Sequence, residues 1–146
     1  MNASYQAGAA KEELRFAGAD AAMGIGMMGY GRDGNVIKGK ATPLHARAFC
    51  FSTPDGACVF FAQVEICMIF SEIKREVLAR LQKGAGAAIF REDNVLIAGQ
   101  HTHSGPGGFS HYAFYNFSVP GFRPPVFEGV VAALVSVLTQ AHARRQ

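Results

Sequence analysis

The apolar positions of this chain fall into successive blocks whose spacing changes from one to the next. Residues 45–53 (HARAFCFST) and 57–70 (ACVFFAQVEICMIF) are dense in Phe, Val, Ile and Cys, side chains that suit a pleated, buried surface. The step between the blocks contains Pro54-Asp55-Gly56. Proline presets φ at the second turn position, and glycine accepts the left-handed exit. The two blocks are therefore predicted to form a β-hairpin, and apolar residues on both of its faces predict a sheet covered on both sides. The period then lengthens. Ile73, Val77, Leu78 and Leu81 recur at helical spacing, Glu76 stands four before Arg80, Ser71 offers an N-cap oxygen, and Gly84 suits the position just past the end. A helix is predicted over 71–83. Residues 94–99 (NVLIAG) read as a short buried strand. Pro124 and Pro125 open a last helix with an apolar stripe of Val126, Phe127, Val130, Val131, Leu134, Val137, Leu138 and Ala141.

This order predicts an α/β layer structure: a mixed β-sheet with a β-hairpin, two amphipathic helices, and a Gly-rich site loop at a strand end. Residues 1–15 are polar and small and are expected to be a mobile N-terminal segment. Residues 16–146 are expected to form one domain. Its first stretch, residues 16–40, holds seven glycines and three methionines in 25 residues. No helical or strand period survives there, so this is a loop whose backbone is expected to approach something closely.

Composition narrows the function classes. Of 146 residues, 49% are hydrophobic and 17% charged, with a net charge of +3. That is a core-forming chain, and no basic run alternates with aromatics as a nucleic-acid surface requires. No run reaches the ~18 apolar residues of a membrane span, so no transmembrane segment is expected. The first residues lack the basic and apolar regions of a signal peptide. Cys50, Cys58 and Cys67 lie inside apolar segments without the paired spacing of a zinc ribbon, and read as free thiols.

The candidate chemistry lies in residues 99–109, GQHTHSGPGGF. His101 and His103 are two apart, and in extended backbone such side chains point the same way. They leave the end of a strand, a usual address for α/β chemistry. Ser104, Gly105 and the glycines that follow add backbone N–H groups with little bulk, suited to an ion or an oxyanion. Spacing alone leaves two readings open: surface polar residues, or a metal and acid–base pair. His111 is a weaker candidate. His45 begins a strand, and His142 sits near a helix C-terminus where the dipole favours a cation.

Several words in this chain resemble the neutral (alkaline, non-lysosomal) ceramidases: GMMGYG at 26–31, ARAF at 46–49, EICM at 65–68, REDNVLIAGQHTHSGPGGF at 91–109, GF at 121–122 and AH at 141–142, in the same order. The resemblance covers residues 16–143 and corresponds to the amino-terminal part of that family's catalytic domain. It implies a zinc-dependent amidase that cleaves the N-acyl bond of ceramide, or a similar N-acyl lipid, to sphingosine and a fatty acid. It further implies that His101 is a zinc ligand and that His103 positions the attacking water or moves its proton. Gly26, Met27, Met28, Gly29 and Tyr30, with Ser104 and Gly105, would line the site. The resemblance places the remaining zinc ligands beyond residue 146, so the zinc site is expected to be incomplete in these residues, with a missing downstream domain or a homo-oligomer partner to complete it. It also suggests a secreted or membrane-surface protein, against the absent signal peptide. Two departures stand out: Glu65 replaces an aspartate usual in the family, and residues 19–23 are shorter than the family's segment before GMMGY. The alternative is a non-catalytic lipid- or protein-binding α/β domain that retains the HTH loop.

Overall fold

The computed structural model describes residues 4–18, 22–30, 35–117, 119 and 121–146. Four strands, β1 (Gln6–Glu13), β2 (His45–Ser52), β3 (Cys58–Val64) and β4 (Val95–Gly99), form one sheet in the order β1-β2-β3-β4. The first three run antiparallel, while β4 runs parallel to β3. Helix α1 (Ser71–Leu81) makes the crossover between β3 and β4, and α2 (Pro124–Ala143) closes the chain. This is the expected α/β architecture with a mixed sheet. The hairpin turn is as predicted, with Gly56 at φ 89°.

The core lies between the sheet and α2, which packs across β1, β2 and β3 and against α1. Ala46, Ala48, Cys50, Phe60, Ala62 and Val64 from the sheet are buried against Val126, Val130, Leu134, Val137 and Leu138 from the helix. Each Phe, Val or Leu among these contributes about 1.5–3 kcal/mol on burial. An ion pair joins the helices on the outside, where Arg80 reaches both Glu76 and Glu128.

The structure corrects four expectations. The segment expected to be mobile carries β1, which pairs with β2 along its whole length from Gln6↔Ser52 to Glu13↔His45. Its small residues serve close packing: a Cβ on Gly8 would lie 2.1 Å from the Ala141 carbonyl oxygen of α2. Residues 1–3 lie outside the described residues. Second, among the described residues the sheet is covered on one face only. Phe49, Phe51, Val59 and Leu96 point away from the helices and are exposed. Third, α1 is capped by the extended residue Phe70, and Ser71 already belongs to the helix, its hydroxyl engaged with that of Tyr112 at 2.8 Å. The helix also stops at Leu81, and Gly84 opens a 3-10 turn, Gly84–Ala88, in place of a cap. Fourth, the surroundings of His142 oppose the cation that the helix end alone would favour. Burial against Phe60 and Phe90, and then the charge of Arg145, lower its pKa.

Candidate functional site

Strands β3 and β4 run parallel and end in register, Val64 opposite Gly99. The residues that follow each strand therefore emerge side by side at one edge. Two backbone hydrogen bonds extend the pairing: Gln100 N–H donates to the Val64 oxygen at 2.9 Å and His101 N–H to the Ile66 oxygen at 3.1 Å. Gly99 permits this approach, since a Cβ there would sit 3.0 Å from the Met68 Cα. His101 then turns sharply, with φ at 69°, the one non-glycine left-handed residue among those described. Such backbone costs about 1–2 kcal/mol and commonly marks a functional constraint.

The turn brings the two histidines together. Their ring centroids lie 4.8 Å apart with planes at 85°. His101 Nδ1 lies 2.9 Å from the Cys67 carbonyl oxygen. A carbonyl only accepts, so Nδ1 carries the proton and the free lone pair of His101 is at Nε2, the arrangement that orients metal-binding imidazoles. His103 is fixed from the other side. The glycine-rich loop of residues 22–30 passes over it: a Cβ on Gly29, where φ is 102°, would fall 1.8 Å from His103 Nδ1. The ring edge of Tyr30 meets His103 at a centroid distance of 5.9 Å. Gly107 N–H donates to the Gly26 oxygen at 2.9 Å, and Met27 bridges to Pro106. Met28 is buried in the core. Gly31 and residues 19–21 of this loop lie outside the described residues.

Cys67 faces both rings, which sequence reasoning had missed. Its Sγ lies 4.0 Å from His103 Nε2 and 3.9 Å from His101 Nδ1. One nitrogen of each ring and this sulfur all lie within 4.8 Å of one another, and among the described residues no other group of three His, Cys, Asp or Glu donors is gathered so closely. Burial pushes the Cys67 thiol up. The signal was present in the parallel register: Cys67 and His101 each follow a paired strand end by two or three residues.

Glu65 braces the same edge. Its carboxylate accepts from the His45 backbone N–H at 2.8 Å and from Arg47 Nη1 at 2.6 Å. Burial pushes its pKa upward, but these partners outweigh burial and hold it below the ordinary carboxylate range. His45 thus has a structural place. His111 packs on Phe122 and Phe127, away from the donor cluster. Ser104 is exposed and Gly105 is buried against Leu44. A cavity of about 1150 Å³ opens beside the loop, lined by Phe16, Met23, Met27, Leu44, Thr102 and Ser104 among others. Of the aromatics after the site, Phe109 is buried in the core, whereas Tyr112, Phe114 and Phe117 are exposed.

The family model described as "Neutral/alkaline non-lysosomal ceramidase, N-terminal" matches residues 5–146. Neutral ceramidase A of Dictyostelium discoideum is 36% identical over 141 residues, covering 97% of this chain and 19% of its own length. Neutral ceramidase of Pseudomonas aeruginosa is 40% identical over 127 residues, covering 84% of this chain and 18% of its own. The crystal structure of the neutral ceramidase from Pseudomonas aeruginosa superposes with a TM-score of 0.90 at 36% identity, over 100% of this chain and 22% of that one. The chain thus spans less than a quarter of the length of these relatives.

Proposed function

Because the chain belongs to the neutral/alkaline non-lysosomal ceramidase family, we propose that it forms the amino-terminal part of a zinc-dependent amidohydrolase site that cleaves the N-acyl bond of ceramide to sphingosine and a fatty acid. The observation that supports this reading most is the convergence of His101 and His103, one ring oriented by a carbonyl and the other clasped by Gly29 and Tyr30. His101 is exposed and His103 half-buried, yet a histidine that only solvates a surface needs neither arrangement.

The donor chemistry fits zinc, which takes imidazole nitrogen and thiolate sulfur readily. His101 presents Nε2 as the ligand. Zinc, when bound, polarises the amide carbonyl and acidifies a water. His103 is placed to orient that water, to take its proton at the ring nitrogen facing the cluster, and to return it to the departing amine. The adjoining cavity, with Phe16, Met23, Met27 and Leu44 on its wall, is the candidate channel for an acyl or sphingoid chain. The further ligands that a catalytic zinc needs would come from outside these residues.

The test is a chimera in which residues 5–146 replace the matching segment of the Pseudomonas aeruginosa neutral ceramidase. Release of fatty acid from a short-chain ceramide is the expected result. A folded, zinc-loaded chimera that releases none would overturn the proposal.

A further inference from the structure

A second cavity, of about 540 Å³, opens at the other end of the sheet, where β2 turns into β3 and α2 ends. Strand β3 runs from Cys58 at this cavity to Val64 at the HTH edge, about 20 Å at the rise of a strand. The two places are therefore separate. We propose that this cavity binds a phosphoryl group, free or carried on a small organic body, with Arg145 and Ser52 as its donors. The proposal uses no residue of the HTH site and stands whether or not that site hydrolyses ceramide.

Three observations carry it. First, Arg145 is anchored but not neutralised. Its Nε donates to the His142 carbonyl oxygen at 2.9 Å and its Nη1 to the Cys58 sulfur at 2.8 Å. Among the described residues no carboxylate pairs with it, and Nη2 and the second proton of Nη1 have no partner. Its charge also acts on its neighbour His142, whose pKa burial lowers first and Arg145 lowers further. Second, Ser52 lines the cavity and is 4% exposed, yet no described residue hydrogen-bonds its hydroxyl. A buried hydroxyl is normally bonded, so this one is open to a partner in the cavity. Ser52 stands directly opposite Cys58 in the β2–β3 register, on the same face and with Cβ atoms about 5 Å apart, which places its hydroxyl beside the sulfur that Arg145 touches. Third, the cavity wall carries no Asp or Glu. Asp55, Glu92 and Asp93, the acids nearest in sequence to Thr53 and Arg91, are engaged by Thr53, Lys74 and Arg91.

A phosphoryl group offers three acceptor oxygens, enough for both Nη atoms of Arg145 and for the Ser52 hydroxyl. The cavity is larger than a phosphate alone needs and falls in the range of about 300–1,000 Å³ usual for small-molecule sites. Pro54, Ala57 and Ile89 on its wall leave room for an organic body.

The test titrates sodium phosphate and glycerol 3-phosphate into the 146-residue chain by calorimetry, against sodium chloride at equal ionic strength. Both phosphates should bind once per chain and chloride should not. Saturation should slow the alkylation of Cys58 by iodoacetamide, read by mass spectrometry. Arg145→Gln should weaken binding by about tenfold or more and Ser52→Ala by about threefold or more. Arg75→Gln, which removes an exposed cation on α1, should change nothing. Tighter binding of glycerol 3-phosphate than of phosphate assigns the cavity to a phosphomonoester, and equal binding assigns it to the free ion. Phosphates that bind no better than chloride overturn the proposal, as does binding that is unaltered in Arg145→Gln. Should Arg145→Gln fail to fold, Cys58 in the unsubstituted chain decides: equal alkylation with and without phosphate overturns the proposal.

Discussion

His101 and Gly29 are the two residues whose backbones are most committed to the site. His101 adopts a left-handed φ without being glycine, and the hydrogen bonds from its N–H to Ile66 and from its ring to Cys67 hold it there. Removing the ring alone leaves the strain in place. His101→Gly is therefore expected to be more stable than His101→Ala by about 1 kcal/mol in urea denaturation; equal stability would show that the backbone relaxes when the ring is lost. Gly29 has a left-handed φ and no space for a Cβ, which would overlap His103 Nδ1. Gly29→Ala should cost about 1–3 kcal/mol and move the His103 ring, visible as shifted imidazole resonances in NMR. Unshifted resonances would contradict the clasp.

At the scale of elements, the parallel β3–β4 pair makes the site by ending both strands at one edge, and the Glu65 carboxylate ties that edge to β2. Glu65→Ala should destabilise by about 2–4 kcal/mol, since it leaves Arg47 and the His45 N–H without their partner. Helix α2 gives a test of sign. Propensity alone predicts that Gly129→Ala stabilises a helix by up to about 1 kcal/mol. A Cβ there would lie 2.5 Å from the Arg15 carbonyl oxygen, so the substitution should instead destabilise by about 1–3 kcal/mol in thermal or urea unfolding. The hairpin, β4 and both helices were legible because turn chemistry and apolar period are local signals, and the HTH word was legible as a place where two imidazoles meet. Strand β1 was not, because Gly8 and its alanines carry no apolar alternation and are explained only by the closeness of α2. Cys67 was not, because its meaning depends on the register of two strands some 30 residues apart.

At the scale of the whole chain, the described residues present an apolar sheet face that α1 and α2 do not cover. Phe49 pairs with Phe61, Phe51 with Val59 and Phe61 with Leu96, and Phe51, Val59 and Leu96 are all more than half exposed. A patch of this kind associates in water. The 146-residue chain should show concentration-dependent association in sedimentation, reduced in Phe51→Lys; a monomer at all concentrations would contradict this. On the proposed function, the HTH edge would contribute His101, His103 and a cavity wall, and a catalytic zinc would need further ligands from outside these residues. The 146 residues alone should therefore release little or no fatty acid from ceramide, measured against the chimera. The most direct test of the account separates the two histidines in that chimera, with zinc content and turnover measured together. His101→Ala should lose both zinc and fatty-acid release. His103→Ala should keep its zinc while kcat falls by roughly 10²-fold or more. Full turnover in His103→Ala, or undiminished zinc in His101→Ala, would contradict it.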